Sequence, residues 1–524
     1  MRLKEQYIKA SEFEKMNSFV EEIMKDNSIT DFTANETLLV LESLYHNLIE
    51  QGLDSERDFL IQCKKSFGEL KIRLGFGGKV FSLYVNEDEI SPENSILKAY
   101  ADKIDCSYFS GFNLFTITVK RNYKNTMMFY ALGILLAFIV YIPVSLLTNR
   151  EDQLYVLDNM VFPIEKIFVN CVLMVAAPVT FFSFVKNMTD TYILADRNSN
   201  IRILHFKSMA SSLILILLAI AVGFVVAPLL SDLKGINSEY FEEGSYRSII
   251  NSVESLVPSS IIEPFETESP IPLIIIAILM AYTFCSVGAY FNKIKKGIDI
   301  CYTLFSKMLS VIMYFLPFFF FMSIMDVLLY EGFESVVIIF IVVLFLILSL
   351  VVVIAYYAVR LSIKGVNVMV FIKKLCPLLI ENLKINSAID AAPFNIRYCA
   401  KNYGFDRERL KDSIPVLAQI NLDGNCYLLT LCALMFIYTI DINVSWLDIT
   451  LISMLILFVS MGAPNQPGSC MIGIMMVICY FNVYSLITMA IYIEVFLSGI
   501  LNLTNVVGDI VTVAVEDVVY SSNL

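Results

Sequence analysis

The sequence predicts an α-helical polytopic membrane protein of eight transmembrane helices plus two re-entrant helical hairpins, with an N-terminal soluble α/β domain. Three observations predict it. Apolar runs of roughly 20 residues, the length that crosses a hydrocarbon core of about 30 Å, recur beyond residue 122 or so. Residues 1–122 are mixed and charged, with no run of that length. Two apolar segments in the C-terminal third are interrupted, one by Asn386-Ser-Ala-Ile-Asp-Ala-Ala-Pro393 and one by Met461-Gly-Ala-Pro-Asn-Gln-Pro-Gly-Ser469. An unpaired backbone group in hydrocarbon costs several kcal/mol, so such breaks survive only against protein or a water-filled cavity.

Taken in order, residues 36–51 are apolar at helical spacing. Strand-like Leu70-Lys-Ile-Arg-Leu74 and Val80-Phe-Ser-Leu-Tyr-Val85 flank Gly75-Phe-Gly-Gly78, which predicts a hairpin, and Leu114-Phe-Thr-Ile-Thr-Val119 reads as a further strand. The opening Met-Arg-Leu-Lys-Glu-Gln lacks the apolar region of a secretory signal, so this domain is expected to stay where it is made. Membrane helices are expected near 127–148, 158–187, 203–231, 270–291, 298–329, 334–362, 412–440 and 482–514, and hairpins near 368–402 and 447–480. The division that follows is a cytoplasmic domain 1–122, a scaffold of helices one to six at 123–362, a core with both hairpins and helices seven and eight at 363–515, and a tail at 516–524.

Orientation is read from Lys and Arg near the helix ends. Lys120, Arg121 and Lys124 precede the first helix, and Lys186, Arg197, Arg202 and Lys207 lie between the second and third. Lys293, Lys295 and Lys296 follow the fourth, and Arg360, Lys364, Lys373 and Lys374 follow the sixth. These connections mark one side as cytoplasmic, with the N-terminal domain and the C-terminus on it. Residues 232–268 carry eight Asp and Glu against Lys234 and Arg247, the pattern of a solvated external loop. Lys373, Lys374, Arg397, Lys401, Arg407 and Arg409 bring the first hairpin in from the cytoplasm, whereas Asp441 and Asp448 place the second hairpin's entrance outside. A pair of breaks meeting at mid-membrane is the pattern that frames a carrier's binding site.

Composition narrows the chemistry. A net charge of −12 argues against nucleic-acid binding, which needs a basic patch. The eleven cysteines are scattered without a CxxC pair, so neither a disulfide framework nor a zinc site is expected. Only His46 and His205 are present, and no nucleophile–base pair stands out, so the chain is not expected to be an enzyme.

Asn421-Leu-Asp-Gly-Asn425, within the seventh apolar helix, resembles the Asn-Met-Asp-Gly-Thr signature of the dicarboxylate/amino acid:cation symporter family, which includes the glutamate transporters. Asn502-Leu-Thr-Asn-Val-Val-Gly-Asp509 is similar to that family's Asn-Val-Thr-Gly-Asp stretch, and Gln466-Pro-Gly-Ser469 to its Val-Pro-Gly-Ala hairpin tip. Val257-Pro-Ser-Ser260, Glu263-Pro-Phe265 and Met174-Val-Ala-Ala-Pro178 extend the match, which covers roughly residues 125–515. The resemblance implies a homotrimer, with a scaffold built from helices one, two, four and five, in which a hairpin-bearing domain moves to give alternating access. It also implies a sodium ion at Asp509, another at Asp423 with Asn421, and Asn505 beside them.

Physical chemistry agrees about these residues. An ionisable group deep in a membrane helix costs at least about 2.5–3.5 kcal/mol, so it faces a pathway or a partner. Carboxylates, amides and backbone carbonyls are the hard oxygen ligands that a hard cation takes.

The substrate side departs from the family pattern. Candidate substrate residues are Ser387 and Asp390 in the first hairpin, Asn425, then Gln466, Pro467 and Gly468 in the second, and Ser498, Leu501, Asn502 and Asn505 in the last helix. Aligned on Asp509, the family's carboxylate-gripping arginine falls at Leu501 and its amine-holding aspartate at Ser498. Leucine cannot replace a guanidinium fork. Asp390 is either an amine or cation contact or a helix N-cap. By spacing from Gly223, the hydroxyls expected on the third helix fall at Leu215 and Ile216, with Ser211 and Ser212 one turn earlier, which predicts an altered or lost cation site. Glu494 reads either as a proton or cation group or as a glutamate satisfied by a neighbouring hydroxyl.

The N-terminal order of helix and strands resembles the ATP-binding domain of anti-sigma-factor kinases and related histidine-kinase-type ATPases, with Asn47 at the metal-holding asparagine. Their Asp-x-Gly-x-Gly reads Asn86-Glu-Asp-Glu-Ile90 here, so a degenerate fold that regulates or docks is expected rather than ATP hydrolysis. The expected function is a sodium-coupled or proton-coupled symporter of a small organic solute, of the amino acid or carboxylate class, in a bacterial plasma membrane among lipids. The alternative is a transporter-like sensor that signals through the N-terminal domain.

Overall fold

The computed structural model forms two compact units, residues 1–124 with 390–412, and residues 125–389 with 413–524. It describes residues 4–517 apart from 27–28, 30, 55–56, 67–68, 80, 82–96, 98–103, 110, 120–125, 198, 231–256, 267–268, 288–289, 331, 384–387, 440–445, 464–467 and 482–486. Ser387, Gln466, Pro467, Asp441, the Asn86–Ile90 stretch, most of 80–85 and most of the acidic 232–268 run lie outside the described residues.

The first unit holds β1 (Lys4–Lys9), α1 (Phe13–Asp26), α2 (Asp31–Glu50), β2 (Asp58–Ser66), β3 (Glu69–Gly77), β4 (Ile104–Phe109) and β5 (Phe112–Val119). The strands form one sheet in the order β1-β2-β3-β5-β4, and each pair is antiparallel. Alternation sets its faces: Phe59, Ile61 and Cys63 of β2 and Leu70, Ile72, Leu74 and Phe76 of β3 point inward. They meet Met16, Val20 and Ile23 of α1 and Leu41, Leu44 and Leu48 of α2 in a single core.

The glycine-rich hairpin expected at Gly75–Gly78 is not there. β3 runs on through Gly77, with Gly75 opposite Leu60 on one side and Leu114 on the other. A Cβ on Gly75 would come within 2.7 Å of the Phe112 ring, so the glycine serves a close ring approach within the sheet and not a turn. Asn113 holds the chain that follows, accepting from the Phe81 amide (3.0 Å) and donating to the Lys79 carbonyl (2.8 Å).

In the same unit Glu42 of α2 carries two arginines of the 390–412 segment. Arg407 bonds it directly and Arg397 lies 3.6 Å away, with the Glu42 side chain 8% exposed.

Of the remaining helices, α3 (Thr126–Leu147), α4 (Arg150–Val156), α5 (Phe162–Arg197) and α6 (Ser199–Leu230) come first. Then follow α7 (Pro270–Ser286), α8 (Phe291–Met313), α9 (Leu316–Tyr330) and α10 (Phe333–Ile363). The last are α11 (Val368–Asn382), α12 (Ala388–Tyr403), α13 (Arg407–Ile420), α14 (Asp423–Thr439), α15 (Trp446–Gly462), α16 (Ser469–Phe481) and α17 (Ile487–Asp517). By length and composition five spans among the described residues can cross a membrane, or six if α8 and α9, bent by 51°, count as one. Leu132, Leu135, Ile139, Ile142 and Leu146 of α3 are exposed, an apolar stripe that suits lipid and not water.

Two segments expected to be continuous are broken, the fifth at Tyr314-Phe315 ahead of Pro317 and the seventh at Asn421-Leu422. Pro317 fits the first turn of α9, where its missing N–H is no loss. The arms of the interrupted segments, α11, α12, α15 and α16, have 13 to 17 residues. At about 1.5 Å per residue each falls short of a hydrocarbon core of about 30 Å.

Glu42→Gln is expected to cost the first unit on the order of 2 kcal/mol, because it strands largely buried Arg397. Hydrogen exchange across 31–50 and 390–412 measures it, and unchanged protection in both segments would show the ion pair to be idle.

Candidate functional site

The second break of the chain places a carboxylate where two helices meet their neighbours. α13 stops at Ile420, Asn421 and Leu422 are non-helical, and Asp423 opens α14. α14 packs along α6 and against α17, which brings Asp423 and Asp509 into one buried group, 0% and 3% exposed.

Asp423 is satisfied by three hydroxyls. Ser212 donates to Oδ1 (2.7 Å), and Ser211 (2.9 Å) and Tyr357 (3.0 Å) donate to Oδ2. Asn421 joins α6 to the second acid through one amide: its carbonyl oxygen accepts from Ser208 (2.8 Å) and its nitrogen donates to Asp509 Oδ1 (2.9 Å). Asn505 accepts from the Gly424 amide (2.8 Å) and donates to the Asn425 side chain (3.3 Å). The four residues singled out from sequence as cation ligands, Asn421, Asp423, Asn505 and Asp509, are therefore neighbours.

Glycines make this density of polar groups fit. A Cβ on Gly508 would lie 2.6 Å from the Tyr357 hydroxyl and 3.0 Å from both Asn421 Nδ2 and Asp423 Oδ2. On Gly424 it would lie 2.8 Å from Thr504 and 2.9 Å from the Leu501 carbonyl.

The α6 hydroxyls differ from expectation. Leu215 and Ile216 are fully buried apolar residues, whereas Ser211 and Ser212, placed one turn too early by spacing, are the pair on Asp423. The offset measured from Gly223 misjudged which turn of α6 faces the break. The signal was in the sequence: Ser208, Ser211 and Ser212 lie at i, i+3 and i+4, one face of the helix, just ahead of its long apolar run. Tyr357 was missed, since a tyrosine in an apolar helix carries no mark of its own.

Glu494 is satisfied by backbone and not by a hydroxyl. It accepts from the amides of Gly468 (2.8 Å) and Met471 (2.9 Å), and so caps the start of α16 from α17. Gly468 has φ +98, where a side chain is strained.

Of the substrate candidates, Ser498, Leu501, Asn502 and Asn505 follow one another along α17, with Leu501 2% exposed. Asn425 joins them through Asn505, and Gly468 lies at the cap of α16. Asp390 is the third residue of α12, inside its first turn and not at its N-cap. The motif at Val257–Phe265 folds into a turn in which the Ser259 amide (2.8 Å) and hydroxyl (2.7 Å) both donate to Glu263, which holds that exposed carboxyl below its usual range.

In the first unit Asn47 is fully buried on α2 and its side-chain carbonyl accepts from Gln51 (2.8 Å).

Among the described residues no three His, Cys, Asp or Glu side chains form a metal cluster. The donors present are two carboxylates with amide, hydroxyl and backbone oxygens, a set that fits a hard monovalent cation.

Broken helices in an apolar unit, with buried carboxylates at the break, define a membrane carrier. Residues 124–518 match the sodium:dicarboxylate symporter family, and the chain belongs to it. It is similar to the C4-dicarboxylate transport protein of Rhizobium leguminosarum bv. trifolii (strain WSM2304), 22% identical over a match 370 residues long that covers 67% of this chain and 82% of that one. The chain is thus a secondary symporter of the membrane, and not an enzyme.

Gly508→Ala is expected to destabilise the purified protein by about 1–3 kcal/mol through overpacking against Tyr357. Adding Tyr357→Phe, which removes the clashing hydroxyl, is expected to restore part of the loss. Additive losses in thermal unfolding would show that the two sites do not touch.

Proposed function

We propose that this chain is a sodium-coupled symporter of a small organic solute, of the amino acid or carboxylate class, working by alternating access. The observation that carries the reading is the buried group of Asp423, Asn421 and Asp509 at the α13–α14 break. Two carboxylates are costly to bury for packing alone, and a cation that enters with the solute offsets that cost. Sodium, when bound, neutralises charge there and couples its own gradient to the solute. Asp509, with Asn505 beside it, would hold one ion, and Asp423 with Asn421 would hold another. In this reading eight helices span the membrane and two hairpins, α11–α12 and α15–α16, enter from opposite faces. The N-terminal domain and the C-terminus are cytoplasmic, the membrane is a bacterial plasma membrane, and the assembly is a homotrimer.

The second hairpin is the outer gate. Glu494 ties its α16 arm to α17, the helix that carries Asn505 and Asp509, so closure and ligand binding act on one element. The coupling between cation and solute is reciprocal in free energy.

The relative's C4-dicarboxylate is one candidate solute, but Leu501 stands where a guanidinium would grip a second carboxylate. The solute class therefore extends to those recognised through one carboxylate, an amine or hydroxyls. A second reading, a sensor in a carrier's frame, is favoured by Glu42 of α2, whose ion pairs reach Arg397 on the arm of the first hairpin and Arg407 at the start of α13.

Purified protein screened for thermal stabilisation by amino acids, dicarboxylates and nucleosides, each in sodium or choline, tests both. One solute class is expected to stabilise only with sodium, and Asp509→Asn to abolish the effect. Proteoliposomes should then accumulate that solute down a sodium gradient. Sodium-independent binding with no uptake would move the sensor reading ahead.

A further inference from the structure

Arg360 lies in the last turn of α10. From its position it belongs among the basic residues that mark the cytoplasmic end of a helix, where a long side chain reaches for water. Its side chain turns the other way. Nη1 donates to the Ser211 hydroxyl (3.0 Å) and Nη2 to the Thr512 hydroxyl (3.4 Å), two groups only 2% and 0% exposed. The guanidinium also lies 5.7 Å from the centre of the Tyr356 ring, a cation–π distance.

Ser211 shows what this does to the site. A serine hydroxyl has one hydrogen and two lone pairs. The hydrogen goes to Asp423 Oδ2, and the lone pairs accept from Arg360 and from the Tyr356 hydroxyl (3.2 Å). Ser211 therefore has no lone pair left for a metal ion. Asp423 already accepts from Ser211, Ser212 and Tyr357. One bond behind it stands a positive charge that does not exchange with solvent. Asp509, one turn before Thr512 on α17, accepts from Asn421 alone among the described residues. Two carboxylates and one guanidinium leave a single negative charge.

We propose that Arg360 is a built-in counter-cation for Asp423, supplying as a fixed side chain the charge that an exchangeable ion would otherwise supply. The carrier then takes one sodium ion, at Asp509, and Asp423 stays paired whether or not that ion is bound. This rests on the sodium-coupled reading above and revises the resemblance, which implies separate ions at Asp423 and Asp509.

The test counts ions. Full-length protein in lipid nanodiscs is equilibrated with radiolabelled sodium, and bound ions per chain are measured with choline as the competitor-free control. The native chain is expected to hold one ion and Asp509→Asn none. Arg360→Met is expected to hold two, the second lost again on adding Asp423→Asn, while Arg360→Lys keeps the count at one. Arg360→Gln serves where the methionine variant does not fold, and the native count alone decides if neither does. Two or more ions in the native chain, or the same count in native and Arg360→Met proteins, would overturn the inference and leave sodium coupling standing. Sodium bound only by Arg360→Met would uphold the role of Arg360 while removing sodium coupling from the native chain. Absence of binding in every variant sinks both.

Discussion

The Asp423 carboxylate is the constraint around which the carrier unit is arranged. A charge removed from water must be given partners by the fold, and a half-partnered one is worse than none. Three elements supply them: α6 with Ser211 and Ser212, α10 with Tyr357 and, one serine away, Arg360. The third is α17, whose Gly508 leaves the room in which the Tyr357 hydroxyl and Asp423 lie. Remove the charge and there is no physical reason for a run of serines inside α6, for a tyrosine hydroxyl buried in α10, or for a glycine at 508. The register of four helices follows from one acid.

The same economy governs the broken backbone. Each break in an apolar medium frees amides that must find acceptors within the protein. Asn505 accepts from Gly424 at the start of α14, and Glu494 accepts from Gly468 and Met471 at the start of α16. Both acceptors are on α17, eleven residues apart, about 16 Å along the helix. One helix thus caps two others. A shift of α17 cannot leave either break unaffected, which is the property that the proposed alternating access needs of this helix.

Sequence made the long apolar helices and the paired interruptions plain, because hydropathy and turn residues act locally and the structure cannot disguise them. Asp423 and Asp509 were visible for the same reason: a bare charge in an apolar run asks for an explanation. What stayed hidden was set by packing between distant segments. Ser211 and Ser212 were placed one turn off, since spacing from Gly223 does not tell which turn of α6 meets α14. Arg360 read as a marker of topology because position along the chain says nothing about which way a long side chain turns. In the N-terminal unit Gly75 looked like a turn until β5 claimed it as a strand residue, a case of pairing register outweighing local propensity.

The two arginine positions, one missing and one present, are not an exchange of place. Leu501 lies two turns before Asp509 on α17, whereas Thr512, which receives Arg360, lies one turn after it. Eleven residues of helix separate them, about 16 Å of rise. Both guanidinium nitrogens that reach this region are also taken by hydroxyls, leaving no fork to offer a solute. Arg360 therefore acts on the cation side of Asp509, and the solute side keeps an apolar surface at Leu501. A solute with a second carboxylate would leave it unpaired against leucine, a loss that a buried site punishes far more than it punishes a missing methylene. On the reading proposed above, the charge that selects an acidic side chain has gone from the solute side, while a fixed charge has entered the ion side. On that reading, those two positions are where the chemistry of this chain departs from a carrier that grips two carboxylates.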